Sequence, residues 1–165
     1  MSDTSLDEWL GSDQAEAPKA IVRQTKKATH AAVQTKIQYA SENFGKLKET
    51  VREKILAEAE SKNAYQYQGL FFCSGDAEWE TRCPACSGKA FMTGMQYEEE
   101  IIETVSHPNE LWEIVEKHFY AEEFHCPICD LHLESEVEIE AASLPAEHVE
   151  TEEREAEYEP EYGND

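Results

Sequence analysis

No apolar run in the 165-residue chain approaches the ~18 residues that a membrane helix needs, so a transmembrane reading is excluded. The first residues, Met1-Ser2-Asp3-Thr4-Ser5-Leu6-Asp7-Glu8, are acidic where a secretion signal is basic and then apolar, and a cytoplasmic protein is expected. The sequence contains no G-x-x-x-x-G-K-[ST], no G-x-G-x-x-G, no G-x-S-x-G and no H-E-x-x-H, so nothing in it supports an enzyme. Carboxylate runs such as Glu98-Glu99-Glu100 suit a solvated strand face or a turn better than an acid/base pair. Basic charge is scarce, with 14 Lys and Arg against 36 Asp and Glu for a formal net charge of −22, which sets the molecule as a whole against phosphate. Between residues 19 and 62 proline is absent and Gly45 is the one glycine, so little there interrupts a helix.

The charge that is present is unevenly placed. Residues 1–17 hold five acids and no base, residues 18–62 hold ten bases and five acids, and residues 63–165 hold four bases and 26 acids. The first region is expected to be a disordered acidic N-terminus. Within it Ser5 and Glu8 fit a capping box, and Leu6, Trp9 and Leu10 would line one edge of a short helix in a partner's groove. Residues 18–62 read as a basic helical segment, either one long helix or a bent pair. Val33, Ile37, Ala40, Phe44, Leu47 and Val51 follow a 4-3-4-3-4 spacing, a heptad seam that needs a partner surface on its own domain or in a homodimer.

Residues 63–142 carry most of the aromatics and all the cysteines and read as a small β domain. Gly69-Leu70-Phe71-Phe72 and Glu78-Trp79-Glu80-Thr81 suggest short strands. Phe91, Met95, Tyr97, Ile101 and Val105 occupy odd positions among mostly polar even ones, which is the period of a long strand, and Ser106-His107-Pro108-Asn109 reads as its turn. The return segment, residues 111–120, fits a strand or a helix; the strand is preferred because it pairs back along 91–105 and delivers Cys126 beside Cys86. Residues 143–165 are expected to be a disordered acidic tail. The fold class expected is therefore α+β, with a helical segment, a small antiparallel β domain and a tail.

Four of the five cysteines form two pairs, Cys83-Pro84-Ala85-Cys86 and Cys126-Pro127-Ile128-Cys129, with 39 residues between them. In a reducing compartment such pairs point to metal rather than to disulfides. Two intervening residues let both sulfurs of a pair turn towards one ion at ~2.3 Å, so the four thiolates of Cys83, Cys86, Cys126 and Cys129 can close one tetrahedral site. Proline after the first cysteine fixes φ in the turn and leaves the remaining amides free to face the sulfurs. Knuckles of this kind commonly place a glycine after the second cysteine; Ser87 and Asp130 stand there instead, Asp being the more tolerant of positive φ. Cys73 has no partner at ligand spacing and is read as a buried thiol. His125 and His132 flank the second pair, and with four cysteines available neither is needed as a ligand.

Two CPxC knuckles joined by a strand hairpin resemble the zinc ribbon family over about residues 78–133, and residues 124–131 are similar to ribbons at the C-terminal ends of uncharacterised bacterial proteins. The resemblance implies a structural Zn²⁺ on the four cysteines and binding through the hairpin surfaces. Iron is the competing metal, because rubredoxin-like electron carriers use the same pairs. Three functions follow as expectations. The first is a zinc-stabilised module that binds a protein partner. The second is a nucleic-acid binder that uses the basic stretch 19–36, with the acidic tail folding over it as an autoinhibitory strip. The third is a rubredoxin-like iron carrier.

Overall fold

A computed structural model describes residues 17–63, 66 and 75–156, with the side chains of residues 17–24 outside the description. The N-terminal region with its Ser5 to Leu10 helix, the strand at 69–72, Cys73 and residues 157–165 of the tail lie outside the described residues. The basic segment forms two helices, α1 (Ala17–Gly45) and α2 (Glu49–Glu60). They part where Lys48 adopts extended backbone. Val33 and Ala40 of α1 are buried, and Ile37 and Phe44 pack against the same core. Leu47 and Val51 are exposed. The expected six-residue seam is thus cut to four positions held within the chain, because the heptad register is lost at the break between the helices.

The remaining elements are β1 (Ala77–Arg82), β2 (Lys89–His107), β3 (Glu110–His125), β4 (His132–Leu133), α3 (Glu136–Ala141) and β5 (Glu147–Glu155). The strands make one antiparallel sheet in the order β1-β2-β3, with β4 and β5 both on the far edge of β3. The ambiguous segment 111–120 is strand. Its register runs from His107 opposite Glu110 at the turn to Phe91 opposite His125, so the chain leaves β3 beside the start of β2. Three irregularities interrupt this pairing, at Thr93/Gly94, Gln96/Glu98 and Ile101/Glu103. At the first of them Gly94 is required by close approach: a Cβ there would lie 2.1 Å from the Tyr120 carbonyl oxygen and 2.7 Å from the Trp79 ring.

The segment expected as a disordered tail contains a strand. Residues 147–155 pair with 112–120 of β3 and cover an edge whose amides and carbonyls would otherwise face solvent. Six charged side chains in this strand conceal it from composition, yet several are matched in place. Glu152 pairs with Lys117, and Arg154 reaches Glu99 at 2.7 Å and Glu113 at 3.5 Å. His148 stacks on Trp79 with ring centroids 4.5 Å apart. The strip that was to fold over the basic helix is instead, over these residues, part of the sheet.

One core joins the helices to the sheet, with Val33 and Ala40 in the same buried cluster as Trp79, Met92, Phe119, Phe124, Leu133 and Ile139. Short helix α3 holds α1 in place. The Ser135 hydroxyl caps α3 by accepting from the Glu138 amide at 3.3 Å, while the Glu138 carboxylate accepts from Glu134 N–H and from Lys36 Nζ, each at 2.8 Å. Burial acts to raise the Glu138 pKa, and the hydrogen bonds from Lys36 and from Glu134 outweigh it, so the carboxyl titrates below its ordinary value. The stabilisation from this carboxylate is therefore present at neutral pH and is lost as pH falls through its folded value. Replacing Ser135 with alanine should cost about 1 kcal/mol, read as a lower urea midpoint at unchanged slope. An unchanged midpoint would show that α3 does not need its cap.

Candidate metal centre

The two cysteine pairs sit at equivalent turns, one between β1 and β2 and the other between β3 and β4. In the first turn Ser87 N–H donates to the Cys83 carbonyl and Cys83 N–H donates to the Gly88 carbonyl, both at 2.9 Å. The second repeats this with Asp130 N–H to Cys126 and Cys126 N–H to Leu131, again both at 2.9 Å. Ser87 and Asp130, the residues that follow the second cysteine of each pair, take φ of 60° and 59°. Left-handed backbone at these two positions turns the chain back so that both sulfurs of a pair face inward. The sequence places serine and aspartate where glycine is commoner, and both adopt the conformation that glycine would supply.

All four sulfurs lie within 4.8 Å of one another. Two close separations cross between the turns: Cys83 Sγ to Cys129 Sγ is 3.5 Å and Cys86 Sγ to Cys126 Sγ is 3.6 Å. A disulfide needs ~2.05 Å, so neither is one. Tetrahedral coordination at ~2.3 Å places sulfurs about 3.8 Å apart, close to the spacing seen. Cys83, Cys86 and Cys126 are buried, and Cys129 is half-buried. Ala85 N–H points to Cys83 Sγ at 3.4 Å, an amide placed to stabilise a thiolate. Gly88 again answers to close approach, since a Cβ would meet Ile128 Cδ1 at 2.3 Å and Leu56 Cδ2 at 2.9 Å. Through this gap the second turn and α2 close over the first.

Four thiols so near one another cannot all ionise without a cation between them. The Cys83 thiol is drawn far below its ordinary range by hydrogen bonds from Cys126 and then Cys129. The Cys126 thiol is pushed well above it by its contacts with Cys129, Cys83 and Cys86 and by burial. A divalent cation resolves this opposition, because it favours the thiolate at every position. The arrangement is compatible with a four-cysteine metal site.

Among the described residues this is the one group of ligating side chains close enough to hold an ion. The flanking histidines turn elsewhere. His125 Nε2 lies 3.3 Å from Asp130 Oδ1, and His132 Nε2 lies 2.5 Å from Glu123 Oε1. Glu99, from the acidic run of β2, pairs with Arg154. The cover that α2 gives the centre was not foreseen; Leu56, at the middle of an amphipathic helix next to the β domain, was the available signal. No helix among the described residues is long and apolar enough to cross a membrane. No known family, curated protein or solved structure matches the chain.

Proposed function

We propose that the chain is a zinc ribbon protein in which Cys83, Cys86, Cys126 and Cys129 hold one structural Zn²⁺, and that it acts without catalysis as a protein-binding module. The observation that carries the reading is the convergence of four sulfurs from two turns of matching backbone geometry. A bound zinc would supply folding energy and charge neutralisation there. With all four coordination positions taken by protein, no position remains for water or substrate, which favours a structural over a catalytic role. The chain's own residues do the rest: Ser87 and Asp130 turn the knuckles, Ala85 N–H supports Cys83, and Leu56 and Ile128 keep water off the sulfurs. A module that binds protein needs exposed apolar surface, and the sheet supplies it at Met95, Tyr97, Tyr120 and Val149.

The test is metal content and the visible spectrum of full-length protein purified without added metal. One zinc per chain and no colour is the expected result. One iron with thiolate charge-transfer bands would replace the zinc reading with electron transfer, and absence of any metal would overturn the assignment of the centre.

A further inference from the structure

The two faces of the β2, β3 and β5 sheet differ in charge. Cross-strand partners share a face, so the register sorts the paired side chains, and ring contacts place Tyr97, which sits at an irregularity. Lys117 and Arg154, the bases of β3 and β5, both lie on one face, where they pair with Glu152, Glu99 and Glu113. From Met95 to the hairpin tip the opposite face holds no lysine or arginine among the described residues of these strands; Lys89, on the same face at the far end of β2, is taken up by Glu80 at 2.7 Å. It holds Met95 opposite Tyr120, with the Tyr97 ring 4.9 Å from that of Tyr120 and 6.0 Å from that of His118, and Val149 opposite His118. Tyr97 is 47% exposed and Val149 48%. On this face Glu100 stands directly opposite Glu116, while Glu103 and Glu153 flank Ile114 from either side and Glu147 adjoins Tyr120.

Like charges placed directly opposite each other on a sheet are destabilising, and among the described residues none of these carboxylates has a lysine or arginine partner, Glu116 lying 3.8 Å from His118 Nε2. An aromatic and aliphatic strip bordered by uncompensated carboxylates is complementary to a segment that is apolar on one side and cationic along its edges. We propose that this face docks a basic amphipathic segment of a protein partner, its apolar side chains on Met95, Tyr97 and Tyr120 and its lysines or arginines opposite Glu100, Glu116 and Glu153. The inference rests on the protein-binding reading above and assigns that reading's partner a chemistry.

The test is fluorescence anisotropy with the full-length, metal-loaded chain and a labelled synthetic amphipathic peptide of lysine, leucine and tryptophan. Peptides of the same pattern carrying glutamine or glutamate in place of lysine serve as comparators. The expected result is saturable binding of the lysine peptide that weakens with salt, is about tenfold weaker for Tyr97→Ala with Tyr120→Ala, and is lost for Glu100→Lys with Glu116→Lys. The paired variant Glu49→Lys with Glu53→Lys, on exposed α2, changes net charge equally and should bind as the native chain does. Equal loss in both charge-reversed pairs would reduce the binding to bulk attraction and overturn the proposal. Tighter binding of the glutamine peptide to the same face would overturn the basic-partner inference and leave the protein-binding module standing. Failure of every peptide, or a face already occupied by a second copy in sedimentation, would overturn the inference; the metal content of each variant reports separately on the zinc centre.

Discussion

Replacing Cys86 with serine should strip the chain of metal and unfold the end of the sheet where β1, β2 and β3 meet the two turns. The four sulfurs are the joint between those turns, with contacts of 3.5 and 3.6 Å crossing from one to the other. Structural zinc in small domains carries roughly 10–16 kcal/mol of apparent binding energy at neutral pH, and loss of one thiolate forfeits most of it. That is comparable with the roughly 5–15 kcal/mol by which a whole domain is stable. The readouts are metal per chain and the strand signal in far-ultraviolet circular dichroism. Exhaustive chelation of the native chain should produce the same spectrum. If the variant unfolds while the chelated native chain keeps its sheet, the damage comes from a buried hydroxyl and the metal is not structural. Retention of metal and of the full strand signal in the variant would overturn the four-cysteine assignment. Because the ligands bind as thiolates, acid should release the metal and restore none of the lost structure.

The hairpin and its convergence were legible in the sequence because each rests on a local rule. Period-2 spacing from Phe91 to Val105 marks a strand, His107-Pro108-Asn109 marks its turn, and a strand return then fixes where Cys126 must fall. What the period did not mark was the buried face. Ala90, Phe91, Met92 and Thr93 are consecutive and all fully buried, while Met95, Tyr97 and Ile101 farther along the same strand are exposed. The sheet is covered on both faces near the knuckles and opens towards the hairpin tip, so alternation there describes a strand without describing a core. Helix α3 was missed although Ser135-Glu136-Val137-Glu138 carries the spacing of a capping box, because residues 136–141 fall at the end of a segment read as β and are too few to show a helical period. The seam on α1 was legible only up to Phe44, since a spacing rule does not register the break between Gly45 and Glu49. Charge likewise hid β5, whose stabilisation comes from partners on β2 and β3 and not from its own composition.

Removing residues 147–165 separates these two descriptions of the C-terminal region by sign. The deleted stretch holds nine acids and one base, so the net charge would fall from −22 to −14 and self-repulsion would ease. For a disordered tail that is the whole effect, and the truncated chain should be as stable as the native one or more so. For a strand the losses dominate. The edge of β3 opens along residues 112–120, the cover over buried Val115 and Phe119 is withdrawn, and Trp79 loses the His148 ring stacked on it. Burial of two such side chains supports a destabilisation of about 3 kcal/mol. The released edge should also promote strand-to-strand association, seen as a rise in mass with concentration. The expected result is thus a markedly lower urea midpoint together with self-association. His148→Ala provides a milder arm that leaves the strand in place, with a loss of about 1 kcal/mol and a change in the near-ultraviolet signal of Trp79. A truncated chain with an undiminished midpoint and a monomeric mass would remove β5 from the fold and return the segment to a solvated tail.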